Sequence, residues 1–181
     1  MTQGRLIAVV GPSGVGKDSV MTGLKNALPA LHLVRRVITR ATGLGGEDYD
    51  AVSLAQFEEL AKIGAFAAHW TAHGLHYGIP VTVHDHLNTG TDCLANFSRK
   101  ALAEAAGHFP RFIVLNITAK PDTLAHRLAA RGRETDAQIA KRLAQADKPL
   151  PKDIDVIHLP NDGPLAETIV RATVLLQPVS I

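Results

Sequence analysis

The stretch Arg5-Leu-Ile-Ala-Val-Val-Gly-Pro-Ser-Gly-Val-Gly-Lys17 decides the fold of this chain. After Arg5 it is first aliphatic and β-branched, which predicts a buried strand. The part from Gly11 to Lys17 then matches the pattern G-x-x-x-x-G-K. Beyond Lys17, apolar residues recur at helical spacing until Pro29, which predicts an amphipathic helix. A strand, a glycine-rich turn and a helix in this order are typical of a phosphate-binding loop.

The chemistry of this loop explains its residue types. Glycines allow successive backbone N–H groups to turn towards an anion, and the start of the helix adds partial positive charge. Lys17 is long enough to reach the β- and γ-phosphates of a nucleotide, so it is also a candidate catalytic residue. The predicted nucleotide-binding residues are Gly11, Pro12, Ser13, Gly14, Val15, Gly16, Lys17, Asp18 and Ser19.

One position departs from the usual loop. Asp18 stands directly after Lys17, where Ser or Thr would normally contact Mg²⁺. A carboxylate could hold the ion directly or through water, because Mg²⁺ takes oxygen ligands. The other interpretation is an acidic first-turn residue that is favoured by the helix N-terminus. We favour Asp18 as a Mg²⁺ ligand and keep both interpretations.

The rest of the chain alternates strands with helices. Strands are predicted at residues 34–39, 93–97, 111–118 and 155–159, short strands and turns at 66–80, and a loop at 42–50. Helices are predicted after the capping boxes Ser53/Gln56 and Thr135/Gln138, from Pro121 to Gly132, and at 81–87 and 165–176. This alternation predicts a single-domain α/β P-loop fold with a parallel sheet covered by helices on both faces.

Composition narrows the class of protein. The chain has 181 residues, enough for one full core, and a formal net charge of +2, too small to indicate nucleic acid. A single cysteine fits a reducing compartment, and no apolar stretch has the length of a membrane helix. The N-terminus lacks the pattern of a signal peptide. We expect a cytoplasmic protein without nucleic-acid or membrane partners; its oligomeric state stays open, a homodimer included.

Several short motifs together resemble the guanylate-kinase group of the nucleoside-monophosphate kinases, over nearly the whole chain. They are Gly11-Pro-Ser-Gly-Val-Gly-Lys17, Ile38-Thr-Arg40 (T-T-R), Gly46-Glu-Asp-Tyr49 (G-x-D-Y), Gly64-Ala-Phe-Ala-Ala-His-Trp70 (G-E-F-x-E-W), His76-Tyr-Gly78 (Y-Y-G), and the lid-like Arg127-Leu-Ala-Ala-Arg-Gly132 and Lys141-Arg-Leu143. The resemblance implies an acceptor-binding subdomain at about residues 35–90 and a lid at about 127–142.

The resemblance also assigns roles. Arg40, Tyr49 and Tyr77 would bind the phosphate of the acceptor, although both tyrosines also fit as half-buried packing residues. The lid arginines Arg127, Arg131 and Arg142 would surround the phosphates of ATP and act in catalysis. A planar guanidinium group suits this role because it binds two phosphate oxygens at once. Without the resemblance, Arg127 and Arg142 would be read as solvated charges on a helix face.

The departures from the group are informative. The group reads guanine with a serine, a glutamate and an aspartate, and the corresponding positions hold Arg36, His69 and Phe97. The carboxylates that would accept hydrogen bonds from guanine are therefore missing. The predicted acceptor-binding residues are Arg36, Arg40, Tyr49, His69, Tyr77, Asn96, Ser98 and Arg99. This pattern resembles the ribose 1,5-bisphosphate phosphokinase family, whose enzymes make 5-phosphoribosyl 1-pyrophosphate.

The expected function is ATP- and Mg²⁺-dependent phosphorylation of ribose 1,5-bisphosphate, a small sugar phosphate. A nucleoside-monophosphate kinase is the nearest alternative, and a non-catalytic guanylate-kinase-like binding module is another. A metal site formed by His69, His73 and His76 is a further, less favoured alternative, because the stretch has no helical register and no second ligand cluster.

Overall fold

The computed structural model describes residues 2–42 and 47–177, and its strands form two sheets. The larger sheet has five parallel strands in the order β2-β7-β1-β8-β9. These strands are β1 (Leu6–Val10), β2 (His32–Leu33), β7 (Cys93–Asn96), β8 (Phe112–Thr118) and β9 (Asp155–Pro160). The central strand β1 contributes alternate side chains to hydrophobic clusters on both faces, which explains its continuous apolar run.

Helices cover both faces of the larger sheet, as predicted for the fold class. One face packs against α1 (Lys17–Ala27) and α7 (Leu165–Leu176), and the other against α3 (Val83–Asn88) and α4 (Leu102–Ala106). The lid-like segment adds α5 (Pro121–Ala130) and α6 (Asp136–Ala144). Across the described residues, no helix has both the length and the apolar character that crossing a bilayer would need.

The smaller sheet has four strands in the order β4-β3-β6-β5 and lies within the subdomain predicted at about residues 35–90. Its strands are β3 (Arg36–Ile38), β4 (Tyr49–Ala51), β5 (Phe66–Ala72) and β6 (Leu75–Pro80), with α2 (Leu54–Lys62) between β4 and β5. Strands β5 and β6 form an antiparallel hairpin that turns at His73 and Gly74, both with positive φ. The short strands predicted at 66–80 are thereby confirmed.

The strand predicted at residues 34–39 is confirmed over its middle as β3, and a second strand that was not predicted, β2, lies just before it. The two belong to different sheets, because β2 pairs with β7 in the larger sheet whereas β3 pairs with β4 and β6 in the smaller one. Val34 still donates its backbone N–H to the Leu94 carbonyl, 2.9 Å away, and the chain changes sheets just after it. Of the predicted loop at 42–50, residues 43–46 lie outside the described residues, and the loop ends before residue 50 because β4 begins at Tyr49.

The helix boundaries follow the predicted signals closely. Both capping boxes are present: Ser53 accepts from the Gln56 amide at the start of α2, and Thr135 accepts from the Gln138 amide at the start of α6. Pro121 is the first residue of α5, and Gly132 with φ of 60° follows its end. Helix α4 was not predicted.

Sheet topology places the loops that matter at one edge. Because parallel strands end at the same edge, the segments that follow β1, β7, β8 and β9 meet there. Val9 of β1 lies opposite Asn96 of β7 and Leu115 of β8, so the glycine-rich loop sits between the segments that begin at Phe97 and Ala119. The candidate site lies at this edge.

Candidate active site

The glycine-rich loop joins the end of β1 to the start of α1, as the sequence predicted. Gly14 and Gly16 have φ of 84° and 93°, in the left-handed region that favours glycine. A Cβ atom on Gly14 would also lie 3.0 Å from a methyl carbon of Leu128. These two positions therefore require glycine for the loop to keep its shape.

Lys17 is the first residue of α1 and lies inside the loop. Its ammonium Nζ donates to the Gly11 carbonyl oxygen, 2.9 Å away. Burial lowers the pKa of Lys17 to about 8, against an opposing effect of Asp18 and with a further lowering by Arg99 and Arg36. A bound phosphate would supply a negatively charged partner for this ammonium group, which in the free loop bonds a carbonyl oxygen.

A cavity of about 470 Å³ extends from the glycine-rich loop to the smaller sheet. Its lining is strongly basic, and among the described residues no Asp or Glu lines it. The basic side chains are Lys17, Arg36, Arg40, Arg99, Lys100, Arg142 and Lys148. Such a lining suits a ligand, or a pair of ligands, with several phosphate groups.

Six of the eight predicted acceptor-binding residues line this cavity. They are Arg36, Arg40, Tyr77, Asn96, Ser98 and Arg99. Elements far apart in the chain bring them together: β3 and β6 of the smaller sheet on one side, and the end of β7 on the other.

Arg36 is the most constrained basic residue of the cavity. It is only 6% exposed, and its guanidinium binds the Glu47 carboxylate with two hydrogen bonds, of which Nε to Oε1 is 2.6 Å. The guanidinium carbon also lies 4.9 Å from the centre of the Tyr77 ring. The pair with Glu47 was not predicted, although Glu47 belongs to the G-x-D-Y-like segment that the sequence singles out.

His69 does not line the cavity, and this corrects the prediction. Side chains alternate along β5, so its neighbour Trp70 faces the cavity while His69 is exposed and its ring lies 6.2 Å from that of Phe57. A register shift between Phe66 and Ala68 sets this alternation. Local sequence cannot reveal such a shift, because it depends on pairing with β6.

Tyr49 also lies outside the cavity lining, where a direct acceptor contact was predicted. Its hydroxyl donates to the Ala41 carbonyl, and its ring centre lies 4.4 Å from the guanidinium carbon of Arg40. The tyrosine is buried, and its ring packs against the guanidinium group of Arg40. Its packing interpretation therefore describes this structure better.

The predicted lid arginines occupy three different environments. Arg142 donates to the Ser13 hydroxyl and forms a 2.7 Å ion pair with Glu134, while Arg127 donates to the Val15 carbonyl at 3.3 Å. Arg131 is exposed at the end of α5 and lies outside the cavity lining. Two of the three thus contact the glycine-rich loop.

Several cavity residues were not predicted. Trp70 stacks between Tyr77 and Phe97, at ring-centre distances of 5.7 and 4.8 Å, and forms an aromatic wall. Lys100, Gln145 and Lys148 also line the cavity. Lys100 adjoins the predicted Ser98 and Arg99, whereas nothing local to Gln145 or Lys148 indicates a site.

Asp18 and Ser19 belong to the first turn of α1 and do not line the cavity. Asp18 is close enough to Lys17 for its charge to raise the pKa of that lysine. Among the described residues, no group of three or more His, Cys, Asp or Glu side chains is placed to hold a metal ion. The histidine metal site considered from the sequence is therefore not formed.

Comparisons with known proteins agree with this geometry. The guanylate kinase family model matches residues 3–164. Ribose 1,5-bisphosphate phosphokinase PhnN of Ruegeria sp. is 49% identical over 176 residues, which cover 97% of this chain and 93% of that protein. The protein of the same name from Agrobacterium fabrum is 46% identical over 165 residues, covering 90% of each chain. The crystal structure of guanylate kinase from Anaplasma phagocytophilum superposes with a TM-score of 0.68 at 21% identity, covering 97% of this chain and 85% of that one, and supports the shared fold.

Proposed function

Because this chain belongs to the guanylate kinase family, and within it to the ribose 1,5-bisphosphate phosphokinases, we propose that it phosphorylates ribose 1,5-bisphosphate with ATP. An oxygen of the C1 phosphate forms a bond to the γ-phosphorus, and the bond from that phosphorus to the β–γ bridging oxygen breaks. The products are 5-phosphoribosyl 1-pyrophosphate and ADP. The basic cavity that joins the glycine-rich loop to the smaller sheet is the observation that carries this proposal.

The residues that line the cavity argue against an acceptor that is recognised through a guanine base. Guanine presents N–H donors on its pairing edge, so a selective site needs acceptors there. Arg36 has only donors and Phe97 has no polar side-chain atom. Glu47 is a nearby carboxylate, and its oxygens already accept hydrogen bonds from Arg36.

Phosphoryl transfer in this cavity needs positioning and charge neutralisation rather than a general base, because a phosphate oxygen is already ionised near neutral pH. Lys17 would neutralise charge on the transferring group from inside the loop. Arg142 and Arg127 are already in contact with the loop through Ser13 and Val15, so they are placed near the donor. The acceptor would lie between Arg40, Tyr77 and Arg99.

Family membership implies ATP as the donor, and we propose Mg²⁺ as its partner ion. The described residues offer no cluster of three ligands, which fits an ion held mainly by nucleotide phosphates and water. Asp18, whose charge acts on Lys17, would supply the protein carboxylate. When bound, the ion neutralises charge on the β- and γ-phosphate oxygens.

Closure of the lid-like segment would exclude water from the transfer. The segment is anchored at its far end, where Arg99 donates to the Ala146 carbonyl at 2.7 Å. Before α6, Gly132 supplies a turn with positive φ between α5 and α6. Motion of α6 between Gly132 and Ala146 would move Arg142 and Gln145 relative to the acceptor.

The test is a coupled assay of ADP formation with four acceptors at equal concentration. Ribose 1,5-bisphosphate should be phosphorylated efficiently, ribose 5-phosphate poorly because it lacks an ionised oxygen at C1, and GMP and AMP little or not at all. A site built for other hydrogen bonds discriminates by about 10⁴-fold or more. Efficient phosphorylation of GMP would return the chain to the nucleotide kinases, and absence of ADP formation with every acceptor would favour a binding module.

A further inference from the structure

Asn161, directly after β9, is a buried polar residue to which the proposed reaction gives no role. It is 4% exposed, and its side-chain nitrogen Nδ2 donates to the Val15 carbonyl of the glycine-rich loop at 2.8 Å. Its side-chain oxygen Oδ1 accepts from the Thr168 hydroxyl on α7, also at 2.8 Å. Its backbone N–H donates to Thr118 at the end of β8, again at 2.8 Å. Every polar group of this side chain is thus directed at a neighbouring element.

The orientation of the Asn161 amide follows from its partners. The Val15 carbonyl can only accept a hydrogen bond, so the NH₂ group must face it. Oδ1 then faces Thr168, which is 2% exposed and donates its hydroxyl hydrogen. Thr168 therefore supports the orientation that the Val15 carbonyl requires, because its hydroxyl donates to the other end of the Asn161 amide.

The bond to Val15 has a consequence for the next residue of the loop. In a trans peptide, the carbonyl of Val15 and the N–H of Gly16 point in opposite directions. Holding the Val15 carbonyl from the Asn161 side therefore turns the Gly16 N–H away from Asn161. Within the described residues, the Gly16 N–H has no hydrogen-bond partner, as expected of a group that serves a ligand.

Gly16 makes this control necessary. Glycine lacks the Cβ that restricts other residues, so φ of Gly16 is less restricted and the plane of the Val15–Gly16 peptide can reorient more easily. The only side chains that donate to Val15 O in the described structure are Asn161 and Arg127, at 2.8 and 3.3 Å. Of these two, Arg127 belongs to the lid-like segment, whereas Asn161 belongs to the body of the domain.

The residue after Asn161 ties the same corner to the lid-like segment. The Asp162 carboxylate accepts from the Lys120 amide at 2.7 Å and from the Thr123 hydroxyl at 2.8 Å, at the start of α5. Helix α5 in turn carries Arg127 to Val15. The Asn161-Asp162 corner therefore supplies one donor to the Val15 carbonyl and contacts the start of the helix that carries the other.

We propose that Asn161, supported by the Thr168 hydroxyl, is a positioning residue that holds the Val15–Gly16 peptide so that the Gly16 N–H faces the bound nucleotide. The inference rests on the proposed function only in that an adenine nucleotide occupies the loop. It does not depend on which acceptor is phosphorylated. The competing explanation is that Asn161 merely joins β9 and α7 in the folded core.

The experiment compares Thr168→Val, which removes the hydroxyl at nearly constant volume, with Thr168→Ser, which keeps it. Asn161→Ala removes the donor itself, and Leu176→Ala is a destabilised control on the same helix, away from Asn161. Each variant is measured for the Kd of ADP by titration calorimetry, for the KM of ATP and of the acceptor, and for urea unfolding.

Loss of one hydrogen bond of this kind should raise the ADP Kd about five- to tenfold in Thr168→Val and at least as much in Asn161→Ala. The KM of ATP should rise in the same two variants, while their acceptor KM stays within about twofold of the parent. In Thr168→Ser and Leu176→Ala, the ADP Kd should also stay within about twofold of the parent. The proposal is overturned if Thr168→Val unfolds at lower urea but binds ADP like the parent. A parent protein that binds ADP yet phosphorylates no sugar bisphosphate counts against the proposed function alone.

Discussion

At the scale of single residues, the site depends on charges held close together in a partly buried cavity. Lys17 has its pKa lowered to about 8 mainly by burial, and Arg36 is held by a bidentate pair with Glu47. Both arrangements cost free energy in the absence of ligand, because a buried charge loses its hydration. Phosphate groups would compensate Lys17 directly.

The lowered pKa of Lys17 predicts the alkaline limb of the pH profile. Below pH 8 the free enzyme carries the ammonium form that binds phosphate, and above pH 8 that form is progressively lost. We therefore expect kcat/KM for ATP, which reports on the free enzyme, to fall as the pH rises through about 8. Lys17→Arg should be slower but should lose this limb, because a guanidinium stays charged. A flat parental profile from pH 7 to about 9.5 would contradict the assignment.

Asp18 gives a second prediction at this scale. If its carboxylate helps to hold Mg²⁺, Asp18→Ala should raise the Mg²⁺ concentration that gives half-maximal rate by about tenfold. Asp18→Thr should recover part of the loss, because it restores the hydroxyl usual at this position. Thr22→Ala is the matched control, since Thr22 is exposed on the next turn of the same helix and has no assigned role. An unchanged Mg²⁺ titration in Asp18→Ala would leave only the helix-terminus role.

At the scale of elements, two helices start with the same device but differ in what they carry. Helix α2 begins at the Ser53/Gln56 capping box and supports the smaller sheet through Phe57, which stacks on Phe66. Helix α6 begins at the Thr135/Gln138 capping box and carries Arg142 to Ser13. Comparing these two helices separates the effect of a lost cap on helix stability from its effect on nucleotide binding.

Removing each cap tests this separation. Ser53→Ala and Thr135→Ala should each lower helix stability by about 1 kcal/mol. Only Thr135→Ala should raise the KM of ATP, by a few-fold, because fraying of α6 releases Arg142 from the loop. Hydrogen exchange of the α6 amides and steady-state kinetics measure the two effects. Equal changes of KM in both variants would mean that α6 has no special link to the nucleotide.

At the scale of the whole molecule, positive charge is concentrated rather than abundant. The chain has a formal net charge of only +2, yet the cavity lining carries the seven basic side chains named above. A field focused in a cleft attracts polyanionic ligands and weakens as salt is added. The acceptor should therefore bind more weakly at higher ionic strength.

Lys148 and Lys152 form a matched pair for this prediction. Both are exposed, but Lys148 lines the cavity and Lys152 does not. Lys148→Ala should raise the KM of ribose 1,5-bisphosphate a few-fold in low salt and reduce its dependence on KCl, because one focused charge is lost. Lys152→Ala should change neither quantity. If both variants behave alike, general surface charge rather than the cavity governs acceptor binding.

What the sequence by itself determined was local in origin. The strand, loop and helix around Gly11–Lys17 follow from a few neighbouring residues, and so do both capping boxes and the turn at Gly132. The motifs that resemble the guanylate-kinase group also predicted the family, which the comparisons confirm. Such features can be predicted from the sequence because the backbone freedom of glycine, helix capping and hydrophobic periodicity each act within a short stretch of chain.

Only the tertiary structure decided the features that depend on distant partners. These features are the change of sheets after Val34, the outward direction of His69 and the pair of Arg36 with Glu47. Each depends on contacts between separate segments of the folded chain. Asn161 reaches Val15 across 146 positions of sequence. A side chain's direction on a strand changes with a shift of one residue in pairing, and a buried amide finds its partner only when the core is packed. These contacts arise from the packing of separate elements, so no local pattern encodes them.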